Sequence, residues 1–242
     1  AETQAGKGAL AWSHPCNLGP IGVTGGTAAN DMAAAADVVI AVGTRMQDFT
    51  TGSWSLFKNP NVKFITINAA AYDAGKADAL AIVSDAREGL QALHDALGAA
   101  GSTSDGYDDL RSAWDDAVDH VTAAPAGDEN VLPTDMQVVG AVQRASGEDT
   151  VIVGAAGTMP GEMHKLFRAP AVGSYHMEYG FSCMGYEVAG ALGVKLARPD
   201  ADVIAMVGDG SYLMANSELA AAVTMGVPFT VGITDNRGFG CI

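Results

Sequence analysis

The chain has 242 residues, of which 48% are hydrophobic and 17% charged, a composition typical of a globular protein with one or two α/β cores. Thirteen basic against 28 acidic residues give a net charge of −15, which argues against a nucleic-acid partner because phosphate contacts need clustered Lys and Arg. No apolar run approaches the roughly 20 residues that span a bilayer. Three Cys without ligand-like spacing favour reduced thiols, so we expect a cytoplasmic protein with no membrane partner.

The first half of the chain alternates predicted helices and strands. The pattern predicts a helix over 26–36, strands over 38–42, 63–67 and 81–83, and a helix over 86–99. The last helix carries Leu90, Leu93 and Leu97 on one face. This alternation indicates a doubly wound parallel sheet. A Gly/Ser-rich linker at 101–106 and an amphipathic helix over 107–121 follow.

The second half repeats this organisation. The pattern predicts a helix over 134–146, a strand over 150–153, a strand beginning at 203, a helix over 216–225 and a strand over 228–233. We therefore predict a first domain at 1–102, a linker with a connecting helix at 103–130 and a second domain at 131–242. Both domains belong to the α/β class with doubly wound, Rossmann-like parallel sheets.

Two segments of the second domain carry the strongest functional signal. An apolar strand ends in Gly208-Asp209-Gly210, and Asn236 and Gly238 follow the next strand. Because a right-handed β-α-β crossover returns the second strand parallel to the first, both segments reach the carboxyl edge of the sheet, where ligands bind. A carboxylate, an amide oxygen and a backbone carbonyl suit Mg²⁺, whose coordination a phosphate often completes. An isolated Gly-Asp-Gly is usually a plain turn, but this context favours a site for Mg²⁺ and a diphosphate.

Three further features leave alternatives open. The small residues from Gly154 to Thr158 form either a backbone nest for an anion or a plain strand-to-helix turn. Met184 is on composition grounds a core gap-filler. His176 and Glu178 either meet a ligand or satisfy backbone donors. A non-catalytic module that binds Mg²⁺ or a nucleotide is also compatible with these residues.

The chain resembles thiamine diphosphate enzymes of the acetolactate-synthase-like group. Asp209 and Asn236, 27 positions apart, match the motif that begins Gly-Asp-Gly and ends in Asn. Residues 25–30 and 36–45 are similar to the central domain of the group, and residues from 132 onward to its diphosphate-binding domain. Within the group, residues 176–187 and 235–242 are similar to the branch that hydrolyses a cyclic 1,2-dione in inositol catabolism.

The resemblance implies the thiamine diphosphate-binding fold, with thiamine diphosphate and Mg²⁺ as cofactors and a small cyclic dione as substrate. Asp209, Asn236 and Gly238 would hold the metal, and Met184 would prop the cofactor in its bent shape. The positions implied to bind the cofactor are Gly157, Thr158, Met184, Gly208, Asp209, Gly210, Ser211 and Asn236.

The resemblance also implies that both domains are incomplete, since relatives carry a pyrimidine-binding domain before residue 1 and further elements after residue 242. The Glu that activates the cofactor belongs to that earlier domain, so we assign no catalytic residue to this chain. We expect the 242 residues alone to be inactive and the full-length protein to be a homodimer or homotetramer.

Acetolactate synthase, or another carboligase or decarboxylase of the group, is the alternative function. Acetolactate synthases hold FAD partly through a Gly-x-Arg-x-x-x-Arg stretch, and this chain has Gly43, Arg45 and then Phe49 at the second Arg position. Phe49 argues against FAD and favours the hydrolase. The alternative of another class remains the non-catalytic Mg²⁺ or nucleotide module.

Overall fold

The computed structural model describes residues 1–98, 107–125 and 131–240. The chain folds into two compact units, one formed by Ala1–Pro20 with Asp115–Ile242 and the other by Ile21–Trp114. Each unit is built on a parallel sheet with helices, which confirms the predicted α/β class. The predicted linker at 101–106 lies outside the described residues, and the boundaries at 102 and 130 stay predictions. None of the described helices is long and apolar enough to cross a membrane.

The elements are numbered here in chain order. The helices span α1 Thr27–Ala35, α2 Asp48–Thr51, α3 Ala71–Ala74, α4 Ala86–Leu97, α5 Tyr107–Thr122, α6 Asp135–Ala145, α7 Thr158–Leu166, α8 Tyr186–Ala197, α9 Asp209–Met214 and α10 Glu218–Met225. The strands span β1 Val38–Val42, β2 Lys63–Asn68, β3 Leu80–Val83, β4 Thr150–Gly154, β5 Tyr175–Met177, β6 Asp202–Gly208 and β7 Thr230–Thr234.

The unit Ile21–Trp114 contains a three-stranded parallel sheet in the order β1-β2-β3. Ile67 of β2 is fully buried, and α4 approaches it through Gly89, where an added Cβ would lie 2.5 Å from Ile67 Cγ2. The leucine stripe therefore packs only in part: Leu93 is half-buried, whereas Leu90 is 46% and Leu97 58% exposed. The close approach of a glycine outweighs the helical leucine pattern here.

The other unit contains a four-stranded parallel sheet in the order β5-β4-β6-β7. The chain runs from β4 to β5 on one side, then crosses to β6 on the opposite side of β4 and continues outward to β7. Val151, Val153, Val203 and Ala205 form the buried centre of this sheet, as expected for parallel strands covered on both faces. The direction of winding thus reverses between β4 and β6, and ligands of such sheets bind at this switch point.

Local sequence signals account for many element ends. The side chain of Thr134 accepts a hydrogen bond from the Gln137 N–H, and the Gln137 side chain accepts one from the Thr134 N–H, so a capping box starts α6 one residue after the predicted start. Gly226 ends α10 in the left-handed conformation. The sequence pattern predicts no helix at 209–214, yet α9 begins directly at Asp209.

Lys7 is a buried amine in the core of the larger unit. It is 2% exposed, and among the described residues its Nζ has no hydrogen-bond partner. The Nζ atom lies 5.8 Å from the ring centres of both Trp12 and Tyr175. Burial lowers the pKa of Lys7 to about 8, and the nearby Glu2 carboxylate partly opposes that shift. The two aromatic faces thus replace only part of the hydration free energy that the charged amine of Lys7 loses on burial.

Lys7 should make stability depend on pH. Below pH 8 the amine is charged in both states, so burying it weakens the fold. Between about pH 8 and 10.5 the unfolded chain binds a proton that the folded chain has lost, and the free energy of unfolding must rise with pH. Urea unfolding of the wild type should therefore gain about 3 kcal/mol relative to Lys7→Met across this range. Exposed Lys58→Met supplies the baseline, and a flat difference between wild type and Lys7→Met would contradict the account.

Candidate functional site

A cavity lies at the switch point, beyond the carboxyl ends of β4 and β6. Its empty volume is about 450 Å³, part of it open to solvent. The segments that follow β4, β6 and β7 form its wall together with Met184. The register places Gly208 of β6 beside Thr234 of β7, so the residues after both strands emerge at the same edge. The cavity is thus a direct product of the parallel strand order.

All nine residues predicted from the sequence as cofactor or metal positions line this cavity. They are Gly157, Thr158, Met184, Gly208, Asp209, Gly210, Ser211, Asn236 and Gly238. The structure brings them together, and their binding roles stay predictions. His176 and Glu178 are not in the cavity wall. The carboxylate of Glu178 accepts hydrogen bonds from the N–H groups of Phe181 and Cys183, which is the backbone-donor alternative.

Asp209 supplies the single acidic or basic side chain among the described residues of the cavity wall. Its Oδ1 atom is buried, and within the described ranges it has no hydrogen-bond partner. An unpartnered buried carboxylate oxygen is unfavourable, so a cation at this position would stabilise the fold as well as bind. The described residues contain no group of three His, Cys, Asp or Glu side chains arranged for a metal. A cation here would therefore take amide, carbonyl, water and phosphate oxygens, the set that Mg²⁺ accepts.

Asn236 and Gly238 form a tight turn after β7. Asn236 Oδ1 accepts a hydrogen bond from the Gly238 N–H at 3.2 Å. Arg237 between them has a φ of +61°, which bends the chain back over the edge of the sheet. The amide oxygen of Asn236 keeps a second lone pair for a metal. The donor set therefore fits a hard cation.

Glycines make the opposite wall of the cavity. Gly157 has a φ of +123° and precedes α7, whose nine residues begin in the cavity wall. The backbone N–H groups at the start of a helix suit an anion such as a diphosphate. An added Cβ at Gly210 would lie 2.4 Å from the Phe239 ring. A side chain at Gly210 would therefore displace Phe239, another residue of the cavity wall.

Behind the wall, Ser211 is engaged with a carboxylate that the sequence reasoning missed. The Ser211 hydroxyl donates to Glu187, with both oxygen distances 2.9 Å, and accepts from the Gly185 N–H at 2.7 Å. Its only proton is thus directed at Glu187, and its predicted contact with a diphosphate stays a prediction. The sequence feature that could have pointed to this carboxylate is Glu187 itself, a single acidic residue in the otherwise apolar first half of α8.

Two family profiles match the chain. "Thiamine pyrophosphate enzyme, central domain" matches residues 1–93, and "Thiamine pyrophosphate enzyme, C-terminal TPP binding domain" matches residues 155–242. The second match contains all nine residues of the cavity named above. The chain belongs to the thiamine pyrophosphate enzyme family. Thiamine pyrophosphate is the same molecule as thiamine diphosphate.

Curated relatives match this family member along its whole length. Proteins from Clostridium tetani, Geobacillus thermodenitrificans and Bacillus cereus are 42%, 44% and 45% identical, over 265, 264 and 265 residues. Each is named 3D-(3,5/4)-trihydroxycyclohexane-1,2-dione hydrolase. The alignments cover 100% of this chain and 41% of each relative, so the chain spans about two fifths of their length.

Two of the cavity glycines, Gly157 and Gly208, should differ in their tolerance of a side chain. Gly157→Ala should lower the free energy of unfolding by about 1–2 kcal/mol, because a φ of +123° strains any L-residue. Gly208→Ala should change it by less than about 0.5 kcal/mol, since Gly208 has a φ of −74° and no atom within 4 Å of the added Cβ. Urea unfolding measures both. Equal losses would show that the Gly157 backbone conformation is not required.

Proposed function

We propose that this protein opens the ring of 3D-trihydroxycyclohexane-1,2-dione to 5-deoxyglucuronate, as a thiamine diphosphate- and Mg²⁺-dependent C–C hydrolase of myo-inositol catabolism. Identity of 42–45% to relatives named for hydrolysis of this dione supports the reaction. The observation that carries the proposal is the buried Asp209 Oδ1, which has no hydrogen-bond partner among the described residues and lies in a glycine-lined cavity at the switch point. A cation would satisfy that oxygen, and the glycine-rich strand ends around it suit a diphosphate.

Asp209, Asn236 and the carbonyl of Gly238 are the proposed metal ligands. Asp209 leaves β6 and the other two follow β7, so one pair of adjacent strands fixes their separation. A divalent cation there would neutralise the buried carboxylate and the negative charge of a diphosphate together. The overall charge of −15 therefore does not oppose binding of an anionic cofactor.

Gly157 and Thr158 are proposed to hold the diphosphate from the other wall, through backbone N–H groups at the start of α7. Met184, half-buried between these walls, would contact the rings of the cofactor and set its bent shape. When bound, thiamine diphosphate supplies an electron sink for cleavage of a carbon–carbon bond. The described residues thus orient the cofactor and limit its contact with water.

Proton transfer requires a group beyond these walls. Asp209 is the one titratable side chain among the cavity residues that the structure describes, and a metal ligand is a poor proton carrier. We therefore propose that the activating Glu lies in a part of the full-length protein outside these 242 residues. On this proposal the full-length protein is a cytoplasmic homodimer or homotetramer, and the 242-residue chain alone is inactive.

The variant Asp209→Asn should lose metal binding while the protein remains folded. In the full-length protein, loss of the carboxylate should weaken Mg²⁺-dependent binding of thiamine diphosphate by roughly 100-fold or more, because substitutions in the outer shell of metal sites already cost 10–100-fold. Turnover of the dione should fall with it. Calorimetric titration with thiamine diphosphate, in Mg²⁺ and in EDTA, measures the first effect, and product analysis measures the second.

Asp235→Asn is the matched control. Asp235 is an exposed carboxylate in the turn after β7 that carries Asn236, its Oδ1 accepts the Arg237 N–H, and it is not among the cavity residues. This variant should bind thiamine diphosphate and turn over the dione like the wild type.

Two results for the wild-type protein would contradict the proposed function. Conversion of pyruvate to acetolactate with no reaction of the dione would replace the hydrolase with the synthase. Protection by nucleotides with no response to thiamine diphosphate would overturn both.

A further inference from the structure

Glu187 is a fully buried carboxylate outside the cavity wall. It lies in the first turn of α8 with 0% of its surface exposed. Its Oε2 accepts a hydrogen bond from the Gly185 N–H at 2.9 Å, and both its oxygens lie 2.9 Å from the Ser211 hydroxyl. The same Gly185 N–H reaches Ser211 at 2.7 Å. Glu187, Ser211 and Gly185 thus form a closed hydrogen-bonded network.

Packing alone does not call for a carboxyl group at this position. The neighbouring buried residues of α8 are Val188, Gly190, Ala191 and Leu192, and a leucine would be close to Glu187 in size. Burial raises the pKa of the Glu187 carboxyl, and its hydrogen bonds with its own backbone N–H, with Ser211 and with Gly185 oppose that rise only in part. A buried carboxyl group makes a fold less stable than an apolar group of similar size would, so we look for a role in the hydrogen bonds that it makes. The groups that Glu187 holds in place through these bonds indicate that role.

The network joins two turns that carry cavity residues. Gly185 follows Met184, and Ser211 follows Gly210, two positions after Asp209. Gly185 has a φ of +90°, and an added Cβ there would lie 2.9 Å from Ala215 Cβ, so the turn at Met184 packs directly on the end of α9. Ser211 links the two turns directly through its bond with the Gly185 N–H, and Glu187 bonds to both members of that link. Loss of the Glu187 carboxylate therefore leaves the Ser211–Gly185 hydrogen bond without its second partner.

We propose that Glu187 is a positioning residue that fixes Met184 relative to Asp209, so that the cofactor prop and the metal ligand are held at one separation. This inference rests on the proposed function for its consequence in cofactor binding, but the linkage of the two turns is a property of the free protein. Glu187 contacts neither cofactor nor metal on this account. It acts through Gly185 and Ser211.

The first test compares variants of the full-length protein in binding of thiamine diphosphate at saturating Mg²⁺. Glu187→Leu should raise the Kd about tenfold, whereas Glu187→Gln, which retains an acceptor oxygen, should stay within about threefold of the wild type. Glu218→Leu, also an acid in the first turn of a helix but remote from the cavity residues, should leave the Kd unchanged. If Glu187→Leu does not fold, Glu187→Ala removes the carboxylate with a smaller side chain and should raise the Kd in its place. An unchanged Kd in the folded variant would overturn the proposal.

A double-mutant cycle separates positioning from a general loss of structure. In a Met184→Ala background there is no prop to position, so Glu187→Leu should add less than about a twofold change in Kd. Additive effects of the two substitutions would mean that Glu187 supports the fold without positioning Met184, and would contradict the inference.

A readout without cofactor distinguishes failure of the inference from failure of the proposed function. In protein labelled with ¹³C at the methionine methyl groups, the Met184 signal is assigned by its loss in Met184→Ala. Glu187→Leu should shift that signal, while the signals of buried Met163 and Met206 stay in place. A wild type that does not bind thiamine diphosphate, together with a shifted Met184 signal, would overturn the function and retain the linkage. An unshifted Met184 signal would overturn the linkage whatever the wild type binds.

Discussion

The parallel pairing of β4 with β6, followed by connections that diverge, determines where this unit can bind a ligand. From β4 the chain runs toward β5, and from β6 toward β7, on opposite sides of the pair. The residues after the two strands therefore cannot cover each other, and a crevice is left between them. Every cavity residue except Met184 either is the last residue of β6 or β7 or lies in the segment after β4, β6 or β7. The composition of three strand-end segments thus decides the chemistry of the site.

The site combines features that would each be unfavourable in a core built for stability alone. Gly157 and Gly210 leave the backbone bare, Asp209 presents a buried oxygen that lacks a partner in the described residues, and Glu187 is a buried acid. The glycines and Asp209 both serve ligand binding, since exposed backbone N–H groups suit a phosphate and a carboxylate oxygen without a partner suits a cation. Glu187 instead bonds to the turn at Met184 and to the turn that follows Asp209.

Sequence reasoning predicted the parallel sheets and the site because both follow from local patterns. The glycines around Asp209 and the small residues before Thr158 mark strand ends, and strand ends of a parallel sheet must share an edge. Glu187 was not predictable in this way, because its partner Ser211 is 24 positions away and only tertiary packing joins them. The exposure of Leu90 and Leu97 has a similar origin, since Gly89 allows a closer approach to Ile67 than a leucine stripe would.

The most direct test of the central claim is the anomalous scattering of Mn²⁺ in crystals of the full-length protein grown with thiamine diphosphate. The account predicts one strong peak at the switch-point cavity, roughly 2.1–2.2 Å from an Asp209 carboxylate oxygen and from the amide oxygen of Asn236, with diphosphate oxygens completing the shell. A metal held by other residues, or a diphosphate bound away from the ends of β4 and β6, would contradict it.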